Sequence, residues 1–99
     1  MKPVLESVIE KYLVEQVEKI LHGEARKFKT RRNDPDRIVL LHGGYVTFVE
    51  TKRPGEKARP GQLREHERLR GLGFFVSVLD TKELIDKWIA HQLECLWRR

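Results

Sequence analysis

The sequence predicts an α/β fold of order αβββαβα, a small mixed sheet flanked by helices. Three observations predict it. Apolar residues recur at helical spacing at both ends of the chain, two β-branched and aromatic runs meet at Gly43-Gly44, and a continuous apolar run follows a second helical segment. From Val4 to Leu21 the residues Leu5, Val8, Ile9, Tyr12, Leu13, Val17, Ile20 and Leu21 make one apolar face, and Gly23 is expected to end that helix. Ala25 to Lys29 reads as a short strand, and the stretch through Arg31, Arg32, Asn33 and Asp34 as a loop closed by Pro35. Arg37 to His42 and Tyr45 to Lys52 pair as a hairpin across the two glycines. Arg53 to Arg59 is a loop, Pro60 opens a helix running to about Leu72, and Gly71 and Gly73 stop it. Phe74 to Leu79 has the unbroken apolar character of a central buried strand. Asp80 as N-cap with Glu83 as its capping-box partner starts a last helix carrying Leu84, Ile85, Trp88, Ile89, Leu93, Leu96 and Trp97. The strands before and after the second helix form a crossover and are expected to lie parallel, whereas the hairpin is antiparallel.

Ninety-nine residues allow one domain, 1–99, with one modest core. With 35% charged and 39% hydrophobic residues the composition is globular, and no apolar run approaches the ~18 residues of a membrane span. Met1-Lys2-Pro3 leads directly into an amphipathic pattern containing Glu6 and Glu10, unlike a secretory signal, so a cytoplasmic location is expected. The single cysteine, Cys95, builds neither an internal disulfide nor a thiolate zinc cage and reads as a buried or interface filler. Twenty Lys and Arg against fifteen acids give a net charge of +5, which favours a polyanionic partner. No phosphate-cradling Walker motif occurs, so no nucleotide cofactor is expected.

Two carboxylates and a lysine stand in a suggestive order. Asp36 enters one hairpin strand, and Glu50 and Lys52 project from the same face near the end of the other. Pairing across Gly43-Gly44 therefore brings Asp36 close to both. Paired hard oxygen ligands suit Mg²⁺ or Mn²⁺, and a neighbouring ammonium can orient an attacking water and offset charge on a phosphorane, so phosphodiester hydrolysis follows. Solvated residues also occupy such positions, and spacing alone leaves both readings open.

Pro35-Asp36, Glu50-Thr51-Lys52 and Gln62 resemble the PD-(D/E)xK nuclease signature. More closely, Asn33-Asp34-Pro35-Asp36-Arg37-Ile38, Phe48-Val49-Glu50-Thr51-Lys52, Pro54-Gly55, Arg59-Pro60-Gly61-Gln62 and Leu69-Arg70-Gly71-Leu72-Gly73-Phe74 resemble the VRR-NUC domain, the virus-type replication and repair nuclease module. The likeness spans nearly the whole chain. It implies a restriction-endonuclease-like αβββαβ core with an added C-terminal helix. It also implies that Asp36 and Glu50 ligate the metal with the Thr51 carbonyl, that Lys52 acts on the nucleophilic water, and that Gln62 holds Lys52 or the scissile phosphate. The family's first helix contributes a glutamate, matched by Glu10, with Glu6 one turn earlier as the competitor. Lys27 resembles a first-strand lysine that meets a DNA phosphate or the site. Asn33 stands where the family usually has glycine, and asparagine tolerates the positive φ such a turn needs.

The cations Lys27, Lys29, Arg31 and Arg32 before the metal strand, and Arg53, Lys57, Arg59 and Arg64 after Lys52, are expected to ring the cleft and bind DNA backbone. His66, four residues after Gln62 on the same helical face, could approach the substrate but reads foremost as an ordinary surface or boundary histidine. The wide apolar stripe of the last helix suggests a homodimer, which two symmetric cuts in branched DNA require; the stand-alone members of the family are thought to be dimers on four-way junctions. Two other functions compete with this reading: a DNA-binding module without turnover, and a sequence-specific restriction-type nuclease, for which 99 residues leave almost no readout insertion.

Overall fold

A computed structural model describes residues 4–98; the reading of Met1-Lys2-Pro3 as no secretory signal lies outside them. The elements are α1 (Glu6–Ile20), β1 (Glu24–Lys27), β2 (Arg37–Leu41), β3 (Tyr45–Thr51), α2 (Pro60–Gly71), β4 (Phe75–Leu79) and α3 (Lys82–Trp97). The sheet order is β1-β2-β3-β4, antiparallel at the first two pairings and parallel between β3 and β4. The expected order, the hairpin and the parallel crossover are all present, but β4, expected to be a central buried strand, lies at the sheet edge with Phe75 64% exposed.

Alternation along the strands divides the core in two. Val39 and Val49 face α1 and α3, where Ile9, Leu13, Val17, Ile85, Trp88 and Ile89 pack on them. Phe48 and Val76 point to the opposite face and pack under Leu69 of α2, with Phe28, Ile38 and Val46 around them. The sheet is therefore sandwiched between one helix and a pair. Tyr12 closes the α1–α3 contact by donating its hydroxyl to Asp86 Oδ1 at 2.6 Å. Among the described residues no helix is long and apolar enough to cross a membrane.

Three local devices differ from expectation. Helix α1 ends on His22, at φ 54°, with Gly23 N–H donating back to the Val17 carbonyl. Gly23 serves by its bareness instead: a Cβ there would stand 2.6 Å from the Leu40 carbonyl oxygen and from Leu41 Cδ2. The N-cap of α3 is Thr81, whose hydroxyl accepts from Leu84 N–H, not Asp80, whose carboxylate accepts from Gly55 N–H. The hairpin loop is His42–Gly44, and Gly43 and Gly44 both adopt positive φ, as the twist of a tight hairpin requires.

Leu13 has no exposed surface. Leu13→Ala is expected to lower unfolding free energy by about 2–5 kcal/mol, read from urea titration monitored by circular dichroism.

Candidate active site

The β2–β3 register decides the site. Arg37 pairs with Val49 and Ile38 with Phe48, so one step further Asp36 lies opposite Glu50. Parity then sends Arg37 toward α1 and both acids toward the α2 face. Thr51, between Glu50 and Lys52, holds Asp36 in place: its N–H and its hydroxyl donate to Asp36 Oδ2 at 2.8 and 3.1 Å. Lys29 Nζ lies 3.6 Å from Asp36 Oδ1.

The chain entering β2 is locked by Asp34, a buried residue with 1% exposure. Its Oδ2 accepts from the Thr30 N–H, the Thr30 hydroxyl and the Arg31 N–H. Burial pushes this carboxyl up, but those hydrogen bonds and the Arg31 guanidinium outweigh it and hold it below its ordinary value. Asn33 does not take the positive φ expected of a glycine substitute. Its amide packs on α2 instead, where a Cβ on Gly61 would meet it at 2.8 Å.

Helix α2 brings Gln62 to the acids. Its Oε1 accepts from Arg59 N–H at 2.9 Å and its Nε2 donates to Glu50 Oε2 at 2.8 Å. Since an amide N–H only donates and a carboxylate only accepts, these partners fix which way the side-chain amide points. The resemblance expected Gln62 on Lys52 or the phosphate; the structure puts it on Glu50. Lys52, 7% exposed, carries its ammonium 3.6 Å from Glu50 Oε2 and 3.9 Å from Glu56 Oε1.

The first-helix glutamate beside the acids is Glu6. Carboxylate oxygens of Glu6, Asp36 and Glu50 lie within 4.8 Å of one another. Glu10 is drawn away, because Arg37, facing α1 from the residue after Asp36, takes its Oε2 at 2.7 Å. Partial burial and the negative charge of Asp36 raise the Glu6 carboxyl above its ordinary value, with Lys52 opposing. Glu50 is 1% exposed, and its Oε1 has no hydrogen-bond partner. Three carboxylates brought this close, that of Glu50 buried, make a set of hard oxygen donors that suits Mg²⁺ or Mn²⁺. Asp36, Glu50 and Glu6 are the residues that would hold it.

A cleft of ≈ 380 Å³ opens over these groups, lined by Glu6, Lys29, Glu50, Lys52, Glu56, Lys57, Arg59 and Gln62. Of the expected DNA-binding cations, Lys29, Lys57 and Arg59 border it. Lys27 lines a different cleft with Glu10 and Arg37. Arg31 is tied to Asp34 and Glu65, and Arg53 to Glu56. Arg32 and Arg64 are exposed on the flanking loop and helix. His66, expected at the surface or its boundary, is fully buried with Nε2 3.8 Å from Glu50 Oε1. Its place four residues after Gln62, on the same helix face, was the available signal.

No family model matches the chain. A protein named "Putative nuclease p44" from Acyrthosiphon pisum secondary endosymbiont phage 1 is 52% identical over 86 residues, spanning 85% of this chain and 91% of that one. A solved structure described as a VRR_NUC domain superposes with a TM-score of 0.78 at 39% identity, covering 87% of this chain and 95% of that one. The chain belongs to the VRR-NUC family of nucleases. The VRR-NUC fold accounts for the mixed sheet with helices on both faces.

Two outcomes follow. Glu6→Gln is expected to weaken Mn²⁺ binding by more than ~10-fold, while Glu10→Gln leaves it within about twofold, both read by titration calorimetry. For Asp34, a depressed folded value means stability that is present above the ordinary carboxylate value and lost as pH falls through the folded one. Asp34→Asn is expected to cost about 1–3 kcal/mol at pH 7. In urea titrations that gap begins to narrow as pH falls below the ordinary carboxylate value of about 4, and closes only below the depressed folded value, where wild-type Asp34 takes up its proton.

Proposed function

We propose that this protein is a Mg²⁺- or Mn²⁺-dependent endodeoxyribonuclease, acting on branched DNA, four-way junctions foremost, as a homodimer in replication, repair or recombination. The observation that carries this reading is the cluster of Glu6, Asp36 and Glu50 with the Lys52 ammonium 3.6 Å from Glu50. A divalent ion held by these acids would supply Lewis acidity to a phosphoryl oxygen.

The remaining work falls to the chain's own groups. Gln62 holds one oxygen of the Glu50 carboxylate, and Thr51 holds Asp36, so both acids are oriented before substrate arrives. Lys52 reaches the cleft on a stem held by burial, where its ammonium hydrogen-bonds the attacking water and offsets charge on the phosphorane. Water adds to phosphorus, one P–O bond to a sugar oxygen breaks, and the products are a phosphate monoester end and a hydroxyl end. Lys29, Lys57 and Arg59 supply sequence-independent attraction for backbone phosphates, which weakens as salt rises.

The homodimer reading is supported by α3, which leaves Leu84, Leu93 and Trp97 exposed, the last at 83%. One site cuts one strand, so paired cuts in a junction call for two copies. A purely DNA-binding module is the second reading, but affinity for phosphate gives no reason to bury Glu50 among acids. Cytoplasmic action, including in a phage-infected cell, accords with DNA as substrate.

The test is cleavage of labelled four-way junction, flap and linear duplex DNA with Mg²⁺ or Mn²⁺, with an EDTA control. Paired cuts in the junction are expected, abolished by EDTA and lowered about 10²–10⁴-fold in Lys52→Ala. Binding without cutting any substrate in either metal would favour the module, and a monomer by sedimentation at micromolar concentration would remove the dimer.

A further inference from the structure

His66 follows Gln62 by one turn of α2, so both side chains face the sheet at Glu50. It has no exposed surface, and neither ring nitrogen has a hydrogen-bond partner. Leaving two polar ring atoms idle in a dry interior costs free energy that a leucine or phenylalanine would not incur, so filling space does not explain a histidine there. The atom opposite its Nε2 is Glu50 Oε1, 3.8 Å away and likewise buried without a partner.

The two oxygens of Glu50 are thus treated differently. Oε2 is gripped by Gln62 at 2.8 Å, with the Lys52 ammonium 3.6 Å off. Oε1 is gripped by nothing, although a polar hydrogen can be presented to it from one side. The gap is roughly 0.8 Å beyond the ~3.0 Å of an N–H···O bond. Contacts of this kind are commonly long in empty sites and tighten in the loaded complex.

We propose that His66 is a positioning residue for Glu50: with a hydrogen on Nε2 it donates to Oε1 and, together with Gln62, holds the carboxylate in one orientation for the divalent ion. This rests on the metal-dependent reading above. Ligating carboxylates are ordinarily held by outer hydrogen bonds, and removal of one such partner weakens metal affinity by about 10–100-fold. Gln62 and His66 divide that task, each taking one oxygen from successive turns of one helix.

Mn²⁺ binding to the purified full chain, measured by titration calorimetry, tests this, with thermal unfolding followed on the same samples. His66→Phe keeps a ring without a donor, and His66→Gln carries an amide nitrogen that reaches about as far as imidazole Nε2. The expected result is a ~10-fold or greater rise in Mn²⁺ Kd for the Phe variant at nearly unchanged melting temperature, with most of the affinity restored by Gln. If the Phe variant does not fold, His66→Leu takes its place in the comparison. An unchanged Kd in the apolar variant, or a Gln variant as weak as it, overturns the proposal. Wild-type protein that binds no Mn²⁺ overturns the metal-dependent reading itself and this one with it, which separates the two failures.

Discussion

Burial of Glu50 is the constraint on which the rest of the structure depends. A carboxylate with 1% exposure has lost nearly all its water, and that loss costs several kcal/mol unless the protein replaces it. Gln62 and Lys52 replace part of it, and a cation among the acids would replace more. Because β3 must deliver Glu50 to this point, its partner strands and α2 have little freedom. The β2 register puts Asp36 opposite Glu50, and α2 must lie where Gln62 reaches Oε2.

Helix α2 is tied to the same contact. Its first turn uses Gln62 twice, as the capping partner of the Arg59 N–H and as the donor to Glu50, so the start of the helix and the orientation of a candidate ligand are one structural event. Bare Gly61 lets Asn33 approach closely, and Asp34 ties the same loop to its own backbone. The consequence is a Pro35-Asp36 entry that is rigid before any ligand arrives, which is the pre-organisation hydrolytic chemistry favours.

Much of the fold was legible because it rests on local signals. The 3.6 and 2 periodicities, the Gly43-Gly44 turn and the Pro60 start each act within a few residues, and all reappear in the structure. The errors lie where a distant group decides. Asp80 is a good N-cap by sequence, but Gly55 from another loop takes its carboxylate and Thr81 caps instead. Glu10 suits the site by its distance from the helix end, but Arg37 across the interface captures it, leaving Glu6 one turn earlier beside Asp36 and Glu50. His66 was read as a surface or boundary residue although it shares a helical face with Gln62, and only the packing of α2 on the sheet buries it.

The sequence by itself determined the elements, their order, the shared face of Glu50 and Lys52 and the approach of Asp36, because hairpin pairing and strand alternation follow from residue spacing alone. Only the tertiary structure decided which glutamate of α1 joins the acids, which oxygen Gln62 holds and that His66 is buried against the other. Those choices depend on how far a helix slides along a sheet and on which cation reaches a carboxylate first, and such distances are set by packing between elements.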